Sequence, residues 1–300
     1  MNTQKNIPKC GHSFAGLERN AAIALFTLLL LPLRFAGAAS GLDKQIKFDY
    51  LEKVLTLRHF YGGEHLEFHS NGRLIGDAPI GPWTLDGQIE VEDVHLHGTR
   101  LVIKGRRIHL IFSQNKPQDQ LALIKNDQGK QQKELAKALE RLKVAIEIEL
   151  PSDNPDEKDV SAAIQAVFLT GSESMMDVVP AYWQAYFAKQ EGKPQTAPSA
   201  NGPVYSLKPG SGMSPPRAIR QPDPEYSEEA RKAKFQGTEI ISLIVDPSGM
   251  ARDMQIQRPL GLGLDEKAIA AISTWKFEPA QKDGTPVAVA IMVEVTFHLY

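Results

Sequence analysis

The spacing of hydrophobic and polar positions changes character along this chain. From Lys44 to Phe112, short runs alternate apolar and polar residues, as in "KVLTLRHF", "HLEFHSNG", "QIEVEDVHLHG", "TRLVIKG" and "RRIHLIF". Gly62-Gly63, Asn71-Gly72, Asp86-Gly87 and Gly105 punctuate them as turns. That spacing predicts an antiparallel sheet, curled or barrel-like. The period then lengthens. "KQQKELAKALERLK" at 130–143 sets Leu135, Leu139 and Leu142 at helical spacing, and a strand, "VAIEIEL", follows. Two more helices are predicted at 157–169 and 173–190, the second carrying Tyr182, Trp183, Tyr186 and Phe187. These cover the sheet or its mouth.

Between Pro194 and Pro224, eight of 31 residues are proline. Such a segment is a linker, partly polyproline II, with a reach of about 95 Å at ~3.1 Å per residue. It divides the chain into a β-rich N-terminal domain (40–190), a Pro-rich linker (191–215) and a C-terminal domain (216–300).

In the C-terminal part, Ser227 is placed to cap a short helix, "EEARKAK", with Glu228 and Glu229 in its first turn and Lys232 and Lys234 near its end. "GTEIISLIVDPSG" reads as a strand and turn, and "MARDMQIQR" as the antiparallel return, with Met254 and Ile256 on one face and Asp253, Gln255 and Gln257 on the other. A helix over "LDEKAIAAISTW" carries Leu264, Ala268, Ala271 and Trp275 on one stripe and runs on into Lys276 and Phe277 before Pro279 stops it. The last segment alternates most regularly: Val289, Ile291, Val293, Val295, Phe297 and Leu299 on one face, and Ala288, Ala290, Met292, Glu294, Thr296 and His298 on the other. The expected fold class is α+β. A β-rich domain with covering helices leads through the linker to a small antiparallel sheet with two helices, and Trp275 and Phe277 fill the latter's core.

Thirty-four Lys and Arg against 36 Asp and Glu leave a net charge of −2, which gives no electrostatic footprint for nucleic acid. Lys5, Lys9 and Arg19 precede an apolar run from Ala21 to Leu33, and the small residues Ala36 to Ser40 follow. That is the layout of a cleavable signal peptide, here residues 1–39. As a helix the run spans roughly 20 Å against about 30 Å of bilayer hydrocarbon. A membrane anchor is the alternative. The single cysteine, Cys10, lies in this leader, so the rest of the chain has no thiol or disulfide chemistry. The expected location is the periplasm after export, or the inner membrane if the leader is retained.

The chain contains no HExxH, GxSxG or P-loop pattern. No catalytic residues are assigned, no cofactor is expected, and the protein is read as a non-enzyme. Six of eight histidines lie between His59 and His109. His65 and His69 share a strand face with Glu67, and His95 and His97 share another. Were those strands neighbours, they would bring imidazoles together around a divalent ion. The plainer reading is a solvated sheet face with no metal.

The C-terminal order of motifs resembles the C-terminal domain of TonB proteins. Tyr226-Ser227 precedes the first helix, and Gly237-Thr238 opens a strand. Val245-Asp246 and Gly249 make the hairpin, and Leu264-Asp265 opens a helix. "WKFEPA" and "GTPV" lead into the final strand. The resemblance covers about 216–300. It implies a protein that supports transport across the envelope by adding an extended segment of an outer-membrane transporter as a strand to its own sheet edge. On the final strand, Ile291, Val293, Val295 and Phe297 are the expected partner-binding residues. The resemblance adds Gln221, Pro222 and Tyr226 of "RQPDPEYS", although one extra residue separates Pro from Tyr and Ser227 stands where Pro is usual. If the leader is retained, the implied second partner is an inner-membrane proton-driven motor. Two features depart from the family pattern: a leader of cleavable type, and some 150 folded residues in place of an extended spacer. They bring in two alternatives, a soluble periplasmic adaptor without energy transduction and a metal-binding N-terminal domain tethered to a TonB-like one. A final strand that is internal to its sheet, or that pairs with its own copy in a homodimer, is the alternative for the edge itself.

Overall fold

The computed structural model describes residues 39–125, 129–194, 203–207 and 212–299. The expected leader, Cys10 included, lies outside them save for Ala39, as do much of the Pro-rich linker and Tyr300. Among the described residues no helix is long and apolar enough to cross a membrane.

The N-terminal part begins with α1 (Ala39–Tyr50), β1 (Val54–Thr56), β2 (His65–Phe68), β3 (Leu74–Ile75) and α2 (Trp83–Asp86). A long hairpin, β4 (Gln88–His97) and β5 (Arg100–Ile108), follows. Then come β6 (Leu110–Ser113), β7 (Lys116–Asp119), α3 (Gln120–Ile124), α4 (Lys130–Glu140), β8 (Lys143–Glu149), α5 (Glu157–Val167) and α6 (Gln184–Gln190). The sheet is mixed and open, in the order β1-β4-β5-β8-β2-β3. The expectation of an antiparallel, barrel-like sheet is corrected here. β8 inserts between β5 and β2 and runs parallel to β2, because its alternating Val144, Ile146 and Ile148 supply the apolar row that the middle of the sheet needs. α1 and α5 bury Ile46, Val160, Ile164 and Val167 against this face. A reciprocal capping box between Asp156 and Asp159 starts α5. The opposite face is laced with charge, for instance Arg100 with Glu147 and Glu67.

The predicted helix at 173–190 is not continuous. Pro180 separates a 3-10 turn at Met175–Asp177 from a second at Ala181–Trp183 that leads into α6.

The C-terminal part comprises β9 (Val204–Ser206), β10 (Met213–Ser214), β11 (Arg217–Arg220), α7 (Glu228–Ala233), β12 (Gly237–Val245) and β13 (Ala251–Arg258). It continues through α8 (Leu264–Ile272), β14 (Lys276–Glu278), β15 (Ala280–Lys282) and β16 (Thr285–Phe297). The main sheet runs β10-β15-β16-β12-β13. Ser227 caps α7 as its position suggests, accepting from the Ala230 amide at 3.1 Å and donating to the Leu262 carbonyl at 2.6 Å. The helix predicted to reach Phe277 stops at Ile272. The hydroxyls of Ser273 and Thr274 donate to the Ala270 and Ala271 carbonyls, and Phe277 joins a strand by donating its amide to Gly249. Trp275 and Phe277 are buried, as expected for core.

The N-terminal sheet keeps its own core, while the end of β5, α2, β6 and the turn into α6 join the core of the C-terminal part. Trp83, Phe112, Trp183, Tyr186 and Phe187 form an aromatic cluster with ring centroids 5.1–6.2 Å apart. It packs into the same apolar body as Ile241, Leu243, Ile256, Leu262 and Leu264. Backbone bonds stitch the seam: Phe112 donates to Leu260 and Leu262 to Leu110, both at 2.9 Å. Gly261 is required at that seam. Its φ is +91°, and a β-carbon there would lie 2.3 Å from the Leu110 oxygen.

Candidate functional site

The site is built from the backbone of β16. Its pairing to β12 is unbroken from Val289↔Val245 to Phe297↔Gly237. On its other side β15 pairs with Thr285–Val287, and β9 pairs in parallel with Ala288–Ala290. No described strand pairs with that side of Ile291–Phe297.

The hairpin between β15 and β16 determines which backbone groups face that open side. Its two loop residues, Asp283 and Gly284, have φ of 52° and 79°, as a type I′ turn demands. In such a hairpin the flanking residues, Lys282 and Thr285, form a hydrogen-bonded pair. Both backbone groups of Thr285 therefore point toward β15, and the direction alternates along the strand. The N–H and C=O groups of Ile291, Val293, Val295 and Phe297 point away from β12 into the open side. Those of Met292, Glu294 and Thr296 point inward, to β12.

Side chains follow a different alternation, above and below the sheet. Val295 and Phe297 are buried and Ile291 and Val293 half-buried on the helical side, whereas Met292 (72% exposed), Glu294 and Thr296 face out. The open side thus combines a row of backbone donors and acceptors with a rim of apolar side chains.

The other expected contact residues divide. Tyr226 reaches the strand: its ring meets Phe297 edge-on at 5.5 Å, and its hydroxyl donates to the Phe235 carbonyl at 3.2 Å. Pro222 is tied elsewhere, its carbonyl accepting from the Trp275 indole at 3.0 Å, and Gln221 beside it is exposed.

The opposite edge of the sheet is closed by the N-terminal part. α6 and the turn before it lie against β13, and the Ala185 amide donates to the Gln255 side chain at 3.1 Å.

Beneath the sheet lies a group of acids that the pattern did not flag. Asp265, in the first turn of α8, accepts from the Leu260 and Gly261 amides at 2.8 and 2.7 Å and so holds the seam loop. The fully buried carboxyl of Glu239 meets no N–H or hydroxyl donor and faces Asp265. Burial, and then the charge of Asp265, push its pKa well above the usual carboxylate range. Glu239 accordingly holds its proton to higher pH than an ordinary carboxylate, with Asp265 facing it. Burial and the same charge push Glu266 up to about 7, while its Oε1 accepts from the Trp183 indole at 2.9 Å.

The histidines are not brought together. His65 and His69 lie on or beside β2, and His95 and His97 on β4, with β5 and β8 between; three strand spacings are about 14 Å. His69 instead meets Glu149 and His95 meets Asp93. Among the described residues no cluster of three or more His, Cys, Asp or Glu is arranged to hold a metal.

Residues 222–299 match the family described as Gram-negative bacterial TonB protein C-terminal. Over 80 residues the chain is 36% identical to Protein TonB of Vibrio cholerae, covering 26% of this chain and 33% of that one. Over 82 residues it is 29% identical to Protein tonB2 of Pseudomonas aeruginosa, covering 27% and 30%. A solution NMR structure of a Pseudomonas aeruginosa TonB C-terminal domain aligns with 32% of this chain and 97% of its own, at 20% identity and a TM-score of 0.24. The match spans about a third of the length of the curated relatives. Residues 222–299 are thus similar to TonB C-terminal domains, and the residues before them lie outside the match.

Proposed function

We propose that this protein supports transport across the bacterial envelope by capturing an extended segment of an outer-membrane transporter on the open side of β16. The outward row of Ile291, Val293, Val295 and Phe297 carries the reading. Four residues with unpartnered strand groups and an apolar rim are what β-augmentation uses: backbone bonds for affinity, alternate side chains for selectivity. α6 lies against β13, and among the described residues Ile291–Phe297 of β16 has no strand on its open side; the domain family supports the use of that stretch for docking. The protein acts by binding, in the periplasm.

The hairpin geometry supplies the test. Val293→Pro removes an outward N–H and leaves the β12 ladder whole, since proline is tolerated where a strand's N–H faces solvent. Met292→Pro removes an inward N–H and breaks the ladder. The reading expects Val293→Pro to fold with a near-native thermal midpoint and to lose binding of a synthetic peptide copying the periplasm-facing N-terminal segment of an outer-membrane transporter. Retained binding by that folded variant contradicts it.

One observation favours the adaptor form of this reading. Residues of α2, β6 and α6 from the N-terminal part are packed into the core of the docking domain, so the residues before the linker do not act as an extended spacer. N-terminal sequencing of the exported protein decides between the two: loss of residues 1–39 removes direct motor coupling, and retention restores it.

A further inference from the structure

The β9 strand is drawn from the Pro-rich linker, and its position gives it a role. It pairs with Ala288–Ala290, directly upstream of the open row, on the side of β16 where the outward groups of Val289 continue into those of Ile291. The linker therefore occupies the beginning of the same edge that the docking reading assigns to a partner. β9 also differs from the rest of its sheet. It joins in parallel, whereas every other pairing in that sheet is antiparallel. Val204 and Tyr205 are half-buried and Ser206 is exposed. Its side-chain anchorage is modest: the Lys282 ammonium sits 4.7 Å from the centre of the Tyr205 ring, and Leu207 packs against the core.

We propose that β9 is an internal competitor for the docking edge. Resting on the docking reading, this makes the full receiving surface Ala288–Phe297, ten residues, of which the chain's own linker fills the first three. The occupant that displaces β9 is an extended peptide strand of about that length, presenting apolar side chains at every second position beside Ile291, Val293 and Val295 and a basic one beside exposed Glu294. A short peptide that covers only Ile291–Phe297 binds without disturbing the linker.

The test uses the full chain and two labelled synthetic probes of alternating Val and Thr with a central Lys, one of seven residues and one of ten. Affinities are compared for wild type, Tyr205→Ala, and the double variant Tyr205→Gly/Ser206→Pro, with thermal unfolding as the check that each is folded. The expected result is that both variants bind the ten-residue probe about tenfold more tightly, the equivalent of one or two hydrogen bonds no longer competing, and the seven-residue probe unchanged. Hydrogen exchange gives a second reading: in the free proteins the Val289 amide exchanges faster in the variants than in wild type, and the ten-residue probe, which pairs with Val289 in place of β9, slows it in the variants whereas the seven-residue probe does not. Equal affinity of wild type and both variants for the ten-residue probe overturns the competitor role while leaving docking intact. Failure of every form to bind either probe overturns docking and this inference with it.

Discussion

Replacing Glu239 by glutamine removes a buried proton and little else. The residue is fully buried between β12 and α8, and its carboxyl faces that of Asp265. In the unfolded chain a glutamate loses its proton near pH 4.3; in the folded protein burial and Asp265 hold the proton to much higher pH. The sign follows. Below about pH 4 both states are protonated and the group is neutral to folding. As pH rises through the unfolded value the unfolded state alone gives up its proton, so stability falls about tenfold per pH unit until the folded pKa is reached. His109 works in the opposite sense: burial, then Arg107 and Arg106, depress it to about 4, so stability rises with pH between there and its ordinary value near 6.5. The difference between variant and wild type cancels His109 and isolates Glu239. A glutamine amide donates to Asp265 as the protonated acid does. The expected outcome of urea unfolding followed by tryptophan fluorescence is therefore near-equal stability at pH 4.5 and a Glu239→Gln protein that becomes progressively the more stable of the two as pH rises from there. Glu239→Ala, which leaves a cavity and removes the donor, is destabilised throughout. Parallel curves for wild type and Glu239→Gln, or a glutamine variant weaker at pH 7, refute the retained-proton account.

Further outcomes concern the seam and the histidines. Trp183→Ala costs about 3–5 kcal/mol in the same unfolding assay, whereas Trp183→Phe, which keeps much of the ring packing and removes only the indole donor to Glu266, costs about 1–3 kcal/mol. Gly261→Ala destabilises by more than about 1 kcal/mol, because a β-carbon meets the Leu110 oxygen and the positive φ is strained. Ser227→Ala lowers stability by about 0.5–2 kcal/mol through loss of the α7 cap. Adding Zn²⁺ leaves the thermal midpoint where it was, since His65 and His69 stand apart from His95 and His97. A rise with stoichiometric binding contradicts that placement.

What could be read in the sequence followed from local rules. The alternation from Val289 to Phe297, the Ser227 cap and the Asp283-Gly284 turn depend on neighbours in the chain, and the folded positions agree, although the strand stops short of Leu299. The burial of Trp275 and Phe277 was legible from size alone. What was not legible depends on distant partners. β8 reads as a strand but not as the middle strand of a mixed sheet, because the pairing with β2 joins segments some 80 residues apart. Pro180 carried a local signal, and the helical reading of 173–190 passed over it. Glu239 occupies an inward position of "GTEIISLIV", where a charge amid Ile and Leu signals burial with a partner, yet the partner, Asp265, comes from another element. The capture of linker residues by Val289 was not legible, since Val204 and Tyr205 are too short a strand-forming pair among prolines to predict a strand. The same limit applies to the candidate edge. Side-chain alternation pointed to Ile291, Val293, Val295 and Phe297, but which of their backbone groups face outward follows only from the hairpin's pairing with β15.

The central claim is best tested by residue-resolved hydrogen exchange on β16 in the free, full chain and again with a saturating extended peptide. The account predicts alternation: amides of Met292, Glu294 and Thr296 protected by β12 from the start, and those of Ile291, Val293, Val295 and Phe297 exchanging fast until the peptide binds, then slowing together. Uniform protection along Ile291–Phe297 in the free protein would mean that the edge is already filled, and peptide capture on β16 would then be wrong.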